Sequence, residues 1–245
     1  MRIAIAGATG LVGRDLVPLA RADGHDVVGI SRAHGVDLVA RTGIDEALAG
    51  VEAVIDTTNS PTVDETGASD YFATAAANLG RAATAAGVAR TVVLSIVGID
   101  LTPEGYYAAK LAHERSTLEH APGPRVLRAA QFHEFAEQSL GWGRDGAVCA
   151  VQDMPVQPVA LAVVARALLD LATAVAGPPH VDLAGPRPEL LTEMVTRLIA
   201  HRGERVAVKP VPVNAAIRAG ALLPGPDATL AGPGYDEWLA ARPSS

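Results

Sequence analysis

Tyr106 and Lys110 stand four residues apart in the stretch YYAAK. On a helix that spacing puts a phenol and an ammonium on one face, so that the positive charge lowers the phenol's pKa and makes it a poised general acid. The pair is informative because lysine is scarce: the chain has two lysines, Lys110 and Lys209, among 20 basic residues. Tyr107 follows directly and lies about 100° further round the helix. The sequence prefers Tyr106 but leaves open which of the two tyrosines faces the reacting centre. Ser95 closes the apolar run ARTVVLS, where a hydroxyl can hydrogen-bond a substrate oxygen. The chemistry read from Tyr106 and Lys110 is proton transfer, while Ser95 by itself is as compatible with a turn.

A second constellation is GATGLVG, with glycines at 7, 10 and 13 between an apolar run from Arg2 and a helix-compatible segment, Leu11 to Ala22. This is the pattern of strand, phosphate loop and helix. Gly7 permits a tight turn, Gly10 lets a pyrophosphate approach the backbone, and Gly13 lets the helix pack closely on the strand. Thr9, Leu11 and Val12 complete the expected phosphate-binding turn. A second strand, His25 to Ile30, ends at Ser31 and Arg32, where such a fold inspects the adenosine ribose. A hydroxyl and a guanidinium suit a 2′-phosphate, so NADP(H) is expected over NAD(H). Val51 to Ile55 is a third buried run whose end delivers Asp56, Thr57, Thr58 and Asn59 to the same edge. There they either line the nucleotide crevice or cap a turn.

These groups must be carried by alternating strands and helices. A short strand is expected at Val36 to Val39, a helical turn at Ile44 to Ala49, and a long alanine-rich helix from about Tyr71 to Ala86 capped by Ser69 or Asp70. A strand over Arg90 to Leu94 and a helix starting near Pro103 and Glu104 come next. A strand over Pro124 to Ala129 then leads to Gln131 and Phe132, candidate cofactor contacts, and to His133 and Phe135, candidate substrate contacts. Trp142, between two glycines, is either a lid on the pocket or a packing anchor. Further on, a helix is expected over Leu161 to Val175 and a strand over Val181 to Leu183. An amphipathic helix capped by Thr192 and an edge strand over Val206 to Val213 follow, the strand confined to an edge by its prolines. The fold class is α/β: a Rossmann-type, doubly wound parallel sheet over residues 1–150, with a smaller C-terminal α/β part over residues 151–245 that shapes the substrate pocket.

The bulk composition agrees. At 245 residues and 49% hydrophobic the chain can bury a full core, and a net charge of −7 without long runs argues against a general nucleic-acid or anionic-membrane surface. Cys149 is the one cysteine, so no intrachain disulfide is possible. With no signal-like start and no spanning apolar run, a cytoplasmic monomer or homodimer acting on a small molecule is expected. No Cys, His and carboxylate cluster has metal-ligand spacing, so no metal is expected.

Taken together, GATGLVG at 7–13, SR at 31–32, DTTNSP at 56–61, LSIVGID at 94–100, YYAAK at 106–110, RAAQFHEF at 128–135 and QPVA at 157–160 resemble the NmrA-like group of atypical short-chain dehydrogenase/reductases. The chain departs from that group after the Gln-Pro turn, where Val163, Val164 and Ala165 stand in a stretch that often carries an acid. The resemblance implies a Rossmann core binding NADP(H) and, in catalytic members, proton transfer by the residues matching Tyr106, Lys110 and Ser95. The reading that follows is an NADPH-dependent reductase of a carbonyl or conjugated alkene on a hydrophobic compound. Its rivals are a regulator that only senses the nucleotide and an isomerase or dehydratase that uses it transiently.

Overall fold

The protein is described by a computed structural model over residues 1–243. In chain order the first elements are β1 (Arg2–Ala6), α1 (Leu11–Ala22), β2 (Asp26–Ile30), α2 (Ile44–Ala47), β3 (Ala53–Asp56), α3 (Glu65–Ala85), β4 (Arg90–Ile96), α4 (Tyr106–His120) and β5 (Pro124–Ala129). They are followed by α5 (Phe135–Gly143), β6 (Arg144–Asp145), β7 (Val148–Gln152), β8 (Pro155–Val156), α6 (Leu161–Thr173), β9 (His180–Ala184) and β10 (Glu189–Leu190). The last are α7 (Leu191–His201), β11 (Ala207–Val211), α8 (Ala215–Arg218), β12 (Thr229–Leu230) and α9 (Tyr235–Ala240). Seven strands form a parallel sheet in the order β12-β9-β5-β4-β3-β1-β2, flanked by helices, which is the expected Rossmann-type α/β architecture. No described helix is long and apolar enough to cross a membrane.

By contact the described residues fall into two compact units, residues 1–128 with 164–181 and residues 129–163 with 182–243. The chain therefore passes between them three times, where a single change near residue 150 was expected. Polar bonds that hold the end of α6 and the residues after it in the first unit explain the return. Arg90 Nε donates to the Ala172 carbonyl at 2.9 Å. Arg125 donates to the carbonyls of Leu171 and Ala174, and Arg166 pairs with Asp23.

In the first unit β1, β3 and β4 are central strands, and Ile3, Ile5, Val54, Ile55, Val92 and Val93 are fully buried on them. Such continuous apolar runs are what a parallel sheet covered on both faces requires. β1 pairs in parallel with β2 and β3, and β3 with β4, so the carboxyl ends of all four strands share one edge. Helix α3 buries Ala75, Ala82 and Ala83 against the sheet, and its Gly80 lets α4 approach closely, since a Cβ there would stand 2.8 Å from the His120 carbonyl carbon. Ser116 Oγ of α4 donates to the Ala73 carbonyl of α3 at 2.7 Å.

Four local expectations are corrected. Residues 36–39 form no strand: after a short 3₁₀ turn at Arg32–His34, Asp37 Oδ1 accepts from the amides of Val39 and Ala40 at 2.9 Å, occupying the donors a ladder would need. Helix α3 starts at Glu65, well before Ser69 and Asp70, because Asp64 is its N-cap and accepts from Gly67 N at 2.8 Å. Helix α4 starts at Tyr106, after its N-cap Gly105, and not at Pro103 or Glu104. Helix α7 starts at Leu191 with Leu190 in the cap position, so Thr192 is inside it.

The second unit contains the three-stranded sheet β11-β7-β6 and the pair β10-β8. Strand β11 carries Pro210 and lies at the sheet edge, paired with β7 alone. Tyr235 of α9 is buried, donates to the Met194 carbonyl of α7 at 3.1 Å and stacks on Trp238. Glu137 of α5 is held by both Arg202 and Arg242.

Candidate active site

The loop from β1 to α1 turns at Gly7, whose φ of +79° lies in the left-handed region open to glycine. Gly7 N and Ala8 N both donate to the Ile30 carbonyl, at 3.0 and 3.3 Å, which ties the loop to the end of β2. Gly13 is where helix and loop touch: a Cβ there would stand 2.3 Å from the Gly7 carbonyl oxygen. Helix α1 has Gly10 as its N-cap, with no side chain capping it, so its first-turn amides are open to an anion. Thr9, Gly10 and Leu11 are exposed while Val12 is buried, so any contact by Val12 is through its backbone. This is a cradle that fits a dinucleotide pyrophosphate.

At the end of β2, Ser31 Oγ and His34 Nδ1 are 2.7 Å apart, and Arg32 is exposed without an ion-pair partner among the described residues. At the end of β3 the chain is turned by its own side chains. Thr57 Oγ1 donates to the Ala6 carbonyl at 2.8 Å. Asp56 Oδ1 accepts from Thr58 N at 2.9 Å and from Thr58 Oγ1 at 2.7 Å. Thr57 and Thr58 thus build the turn, and Asn59 is exposed beyond it. Ser95 lies inside β4, its hydroxyl buried and without a hydrogen-bond partner in the structure.

Helix α4 brings in the remaining groups. Its cap residue, Gly105, donates its amide to Glu65 Oε2 at 2.6 Å, which ties the helix start to α3. Tyr106 donates its hydroxyl hydrogen to Asn59 Oδ1 and packs edge-on against Phe72. Lys110 does not meet the Tyr106 phenol. It is buried, donates to the Leu94 carbonyl at 2.8 Å, and lies 2.8 Å from His113 Nδ1. His113 Nε2 in turn lies 2.9 Å from Asp56 Oδ2. The shared helical face inferred from the sequence ignored where a long side chain ends: the lysine stem runs into the interior between β4 and α3, with its ammonium 4.6 Å from the Phe72 ring centre.

Electrostatics follow from burial. Burial, with the neighbouring Tyr107, pushes the Tyr106 phenol up to about 12, opposite to the lowering expected from a lysine partner. Burial pushes Tyr107 up to about 12 as well. The Lys110 ammonium is brought down to about 8 by burial, partly offset by the charges of Asp56 and Glu114. His113 is lowered by burial and by the charge of Lys110, which favours the neutral imidazole. Burial raises Asp56, but His113 and the two Thr58 bonds outweigh it and hold the carboxyl at about 2. An unfolded carboxylate near 3.8 binds its proton more readily than this one. The stabilisation is therefore complete above pH 3.8 and is lost as pH falls through 2. It amounts to about 2 kcal/mol. The depressed His113 acts in the same direction below 6.5. Urea unfolding followed from pH 5 towards pH 2 is expected to show this loss in the wild type and a shallower slope in Asp56→Asn.

Sequence reasoning did not include His113, Phe72 or Glu65 in the site, and treated Asp56 as a crevice residue. The usable signal was His113 three residues after Lys110, on the same helical face.

The residues expected beyond β5 belong to the second unit. Gln131 and His133 join the loop to Val159: Val159 N donates to the Gln131 carbonyl at 2.9 Å, and His133 N to the Val159 carbonyl at 3.1 Å. Phe132 forms an isolated bridge with Val159. The His133 ring is fully buried, with Nε2 3.1 Å from the Pro233 carbonyl and Trp238 packed beside it. Through these contacts it anchors the segment leading into α9. Trp142 is 74% exposed and touches Phe135 edge-on, so it anchors no core.

No curated protein matches the chain. Among solved structures, MoeE5 in complex with UDP-glucose and NAD is 20% identical, with a TM-score of 0.78 over 98% of this chain and 96% of that one. The dTDP-4-dehydrorhamnose reductase of Bacillus anthracis in complex with NADP is 17% identical, with a TM-score of 0.75 over 98% and 97% of the two chains. The NADPH-dependent quinone oxidoreductase QOR2 of Escherichia coli complexed with NADPH is 23% identical, with a TM-score of 0.65 over 86% and 78%. The chain therefore shares the Rossmann-type fold of these dinucleotide-bound structures, and its residues 3–99 match the model of the NAD dependent epimerase/dehydratase family.

Proposed function

We propose that the protein is an NADPH-dependent reductase acting on a carbonyl or conjugated alkene of a hydrophobic small molecule. The observation that carries this reading is Tyr106, a part-buried phenol kept protonated at neutral pH on the strand-end edge where the glycine loop opens. When bound, the reduced nicotinamide supplies a hydride. Tyr106 then serves as the proton donor, exchanging its bond to Asn59 for one to the substrate oxygen. Ser95 contributes the hydroxyl that lacks a partner. An ammonium has three N–H groups, and Lys110 spends two on Leu94 and His113, so one is left for a cofactor ribose. The first-turn amides of α1 hold the pyrophosphate, and Ser31 and Arg32 hold the 2′-phosphate. Gln131 and Phe132 are assigned to the cofactor, and Phe135 and Trp142 to the substrate. The NmrA-like resemblance supports the same assignment.

A second reading, an epimerase or dehydratase that takes a hydride from its substrate onto the oxidised nucleotide and returns it to the resulting intermediate, is favoured by the family match over residues 3–99. The two are separated by measuring NADPH consumption and product together over a panel of carbonyl compounds and nucleotide sugars. One NADPH consumed per product is the expected result. Product without net consumption identifies an isomerase or dehydratase, and binding without product identifies a nucleotide-sensing regulator. Arg32→Asp is expected to raise the KM for NADPH by about 10- to 100-fold while leaving that for NADH nearly unchanged, because a charge-assisted bond to phosphate is replaced by repulsion. Equal effects on the two nucleotides would remove the basis for NADP(H) preference.

A further inference from the structure

We propose that His113, anchored by Asp56, is the positioning residue that holds the Lys110 ammonium at the strand-end edge of the site. The proposal rests on the reading of Lys110 as a cofactor-binding group and extends it to two residues with no assigned role. All three are interior side chains: Lys110 is 5% exposed, His113 0% and Asp56 1%. Three polar groups of this kind are retained in a core at a desolvation cost unless each is satisfied by the others.

The hydrogen count allows one self-consistent arrangement. Asp56 Oδ1 is taken by Thr58, which leaves Oδ2 to accept from His113 Nε2–H at 2.9 Å. With its proton on Nε2, the neutral ring presents the Nδ1 lone pair, and Lys110 donates into it at 2.8 Å. The second Lys110 hydrogen goes to the Leu94 carbonyl, one residue before Ser95. Phe72 stacks on the imidazole at 4.6 Å with the planes 19° apart, fixing the ring in this orientation. The result is an ammonium and a carboxylate of opposite charge joined through a neutral ring, with two of the lysine's three N–H groups fixed and the third left to donate.

The charges facing Lys110 are few. Asp56 reaches it from β3 through the ring, and Glu114 faces it from α4 itself. Glu114 is bound at both oxygens by Arg128 of β5, at 2.9 Å each, so Asp56 is the acid without a strong cation of its own. α3 contributes the Phe72 ring, and β4 the Leu94 carbonyl. Removing His113 therefore strands a buried acid and a buried base at once.

The two-lysine composition makes the test direct, since lysine labelled with ¹³C at Cε gives two signals and Lys209→Arg assigns them. In the wild type the Lys110 signal is expected to titrate near pH 8. In His113→Leu the midpoint falls by about one unit or more, because the ammonium loses its acceptor and its link to Asp56. Asp56→Asn, which keeps the shape, is expected to lower it as well. His113→Gln, whose amide offers an acceptor and a donor spaced like the two ring nitrogens, is expected to restore the wild-type midpoint. NADPH affinity measured by fluorescence titration should fall about 10- to 100-fold in His113→Leu and recover in His113→Gln. The wild type supplies a check that needs no variant: the ¹⁵N imidazole pattern of His113 at neutral pH must be that of the Nε2–H tautomer. An Nδ1–H tautomer, or a Lys110 midpoint unmoved in both His113→Leu and Asp56→Asn, overturns the proposal. If the wild type binds no NADPH, the functional reading fails, while the lysine and imidazole signals still decide the positioning role.

Discussion

Tyr106→Phe is expected to lower turnover by about 10²- to 10⁴-fold while NADPH affinity changes little, since a general acid contributes about that factor and the phenol makes no assigned contact to the nucleotide. The lost hydroxyl also frees Asn59 Oδ1, but that group is exposed and finds water, so stability should hardly change. The direction of the Tyr106 pKa matters here. A phenol lowered towards neutrality by a lysine partner would pass through its phenolate near working pH and show an alkaline limb in the rate. A phenol held up at about 12 stays protonated, so the limb in the rate is instead expected near pH 8, from Lys110. Steady-state kinetics of Tyr106→Phe and Tyr107→Phe across pH 6–10 decide between the adjacent tyrosines. Wild-type turnover in the first variant, with loss in the second, would transfer the role to Tyr107.

Gly13→Ala is expected to be the most damaging change in the nucleotide cradle. The new methyl would sit 2.3 Å from the Gly7 carbonyl oxygen and 2.7 Å from the backbone C and Cα of Ala8. None of these atoms belongs to a flexible side chain, so the loop or the helix must move. Overpacking of this kind costs about 3 kcal/mol, which for a chain of this size lowers Tm by about 6–12 °C. Because the displaced loop is also the pyrophosphate cradle, NADPH affinity should fall by about tenfold or more in the same variant. Gly225→Ala is the control: its added Cβ meets nothing within 4 Å, and its effect should stay within about 0.5 kcal/mol. Calorimetry and nucleotide titration on the pair test the claim, and a Gly13→Ala protein as stable as the control would refute the close approach.

Several elements were legible because their signals are local. Helix α1 spans Leu11–Ala22 and β5 spans Pro124–Ala129, as the apolar pattern required, and the glycine loop between β1 and α1 has its turn at Gly7. Residues 36–39 were misread because an Asp side chain competed for backbone amides, a contest that apolar spacing does not register. The start of α3 was misplaced because Asp64, Ser69 and Asp70 all have capping side chains, and the one used is decided by the loop that precedes the helix.

What the sequence by itself determined is the edge of the sheet and the groups delivered to it: glycines at 7, 10 and 13, Arg32 after β2, the Asp-Thr-Thr-Asn turn after β3, Ser95 on β4, and a tyrosine and lysine one turn apart on α4. Those follow from periodicity and spacing along one chain segment at a time. Only the tertiary structure decided where the long side chains end. Asp56 and His113 are 57 positions apart, and their contact with Lys110 exists because α4 is laid against α3 beside the sheet. That packing removes water from the lysine, and desolvation then makes an aspartate and a neutral imidazole its partners in place of the tyrosine four residues away.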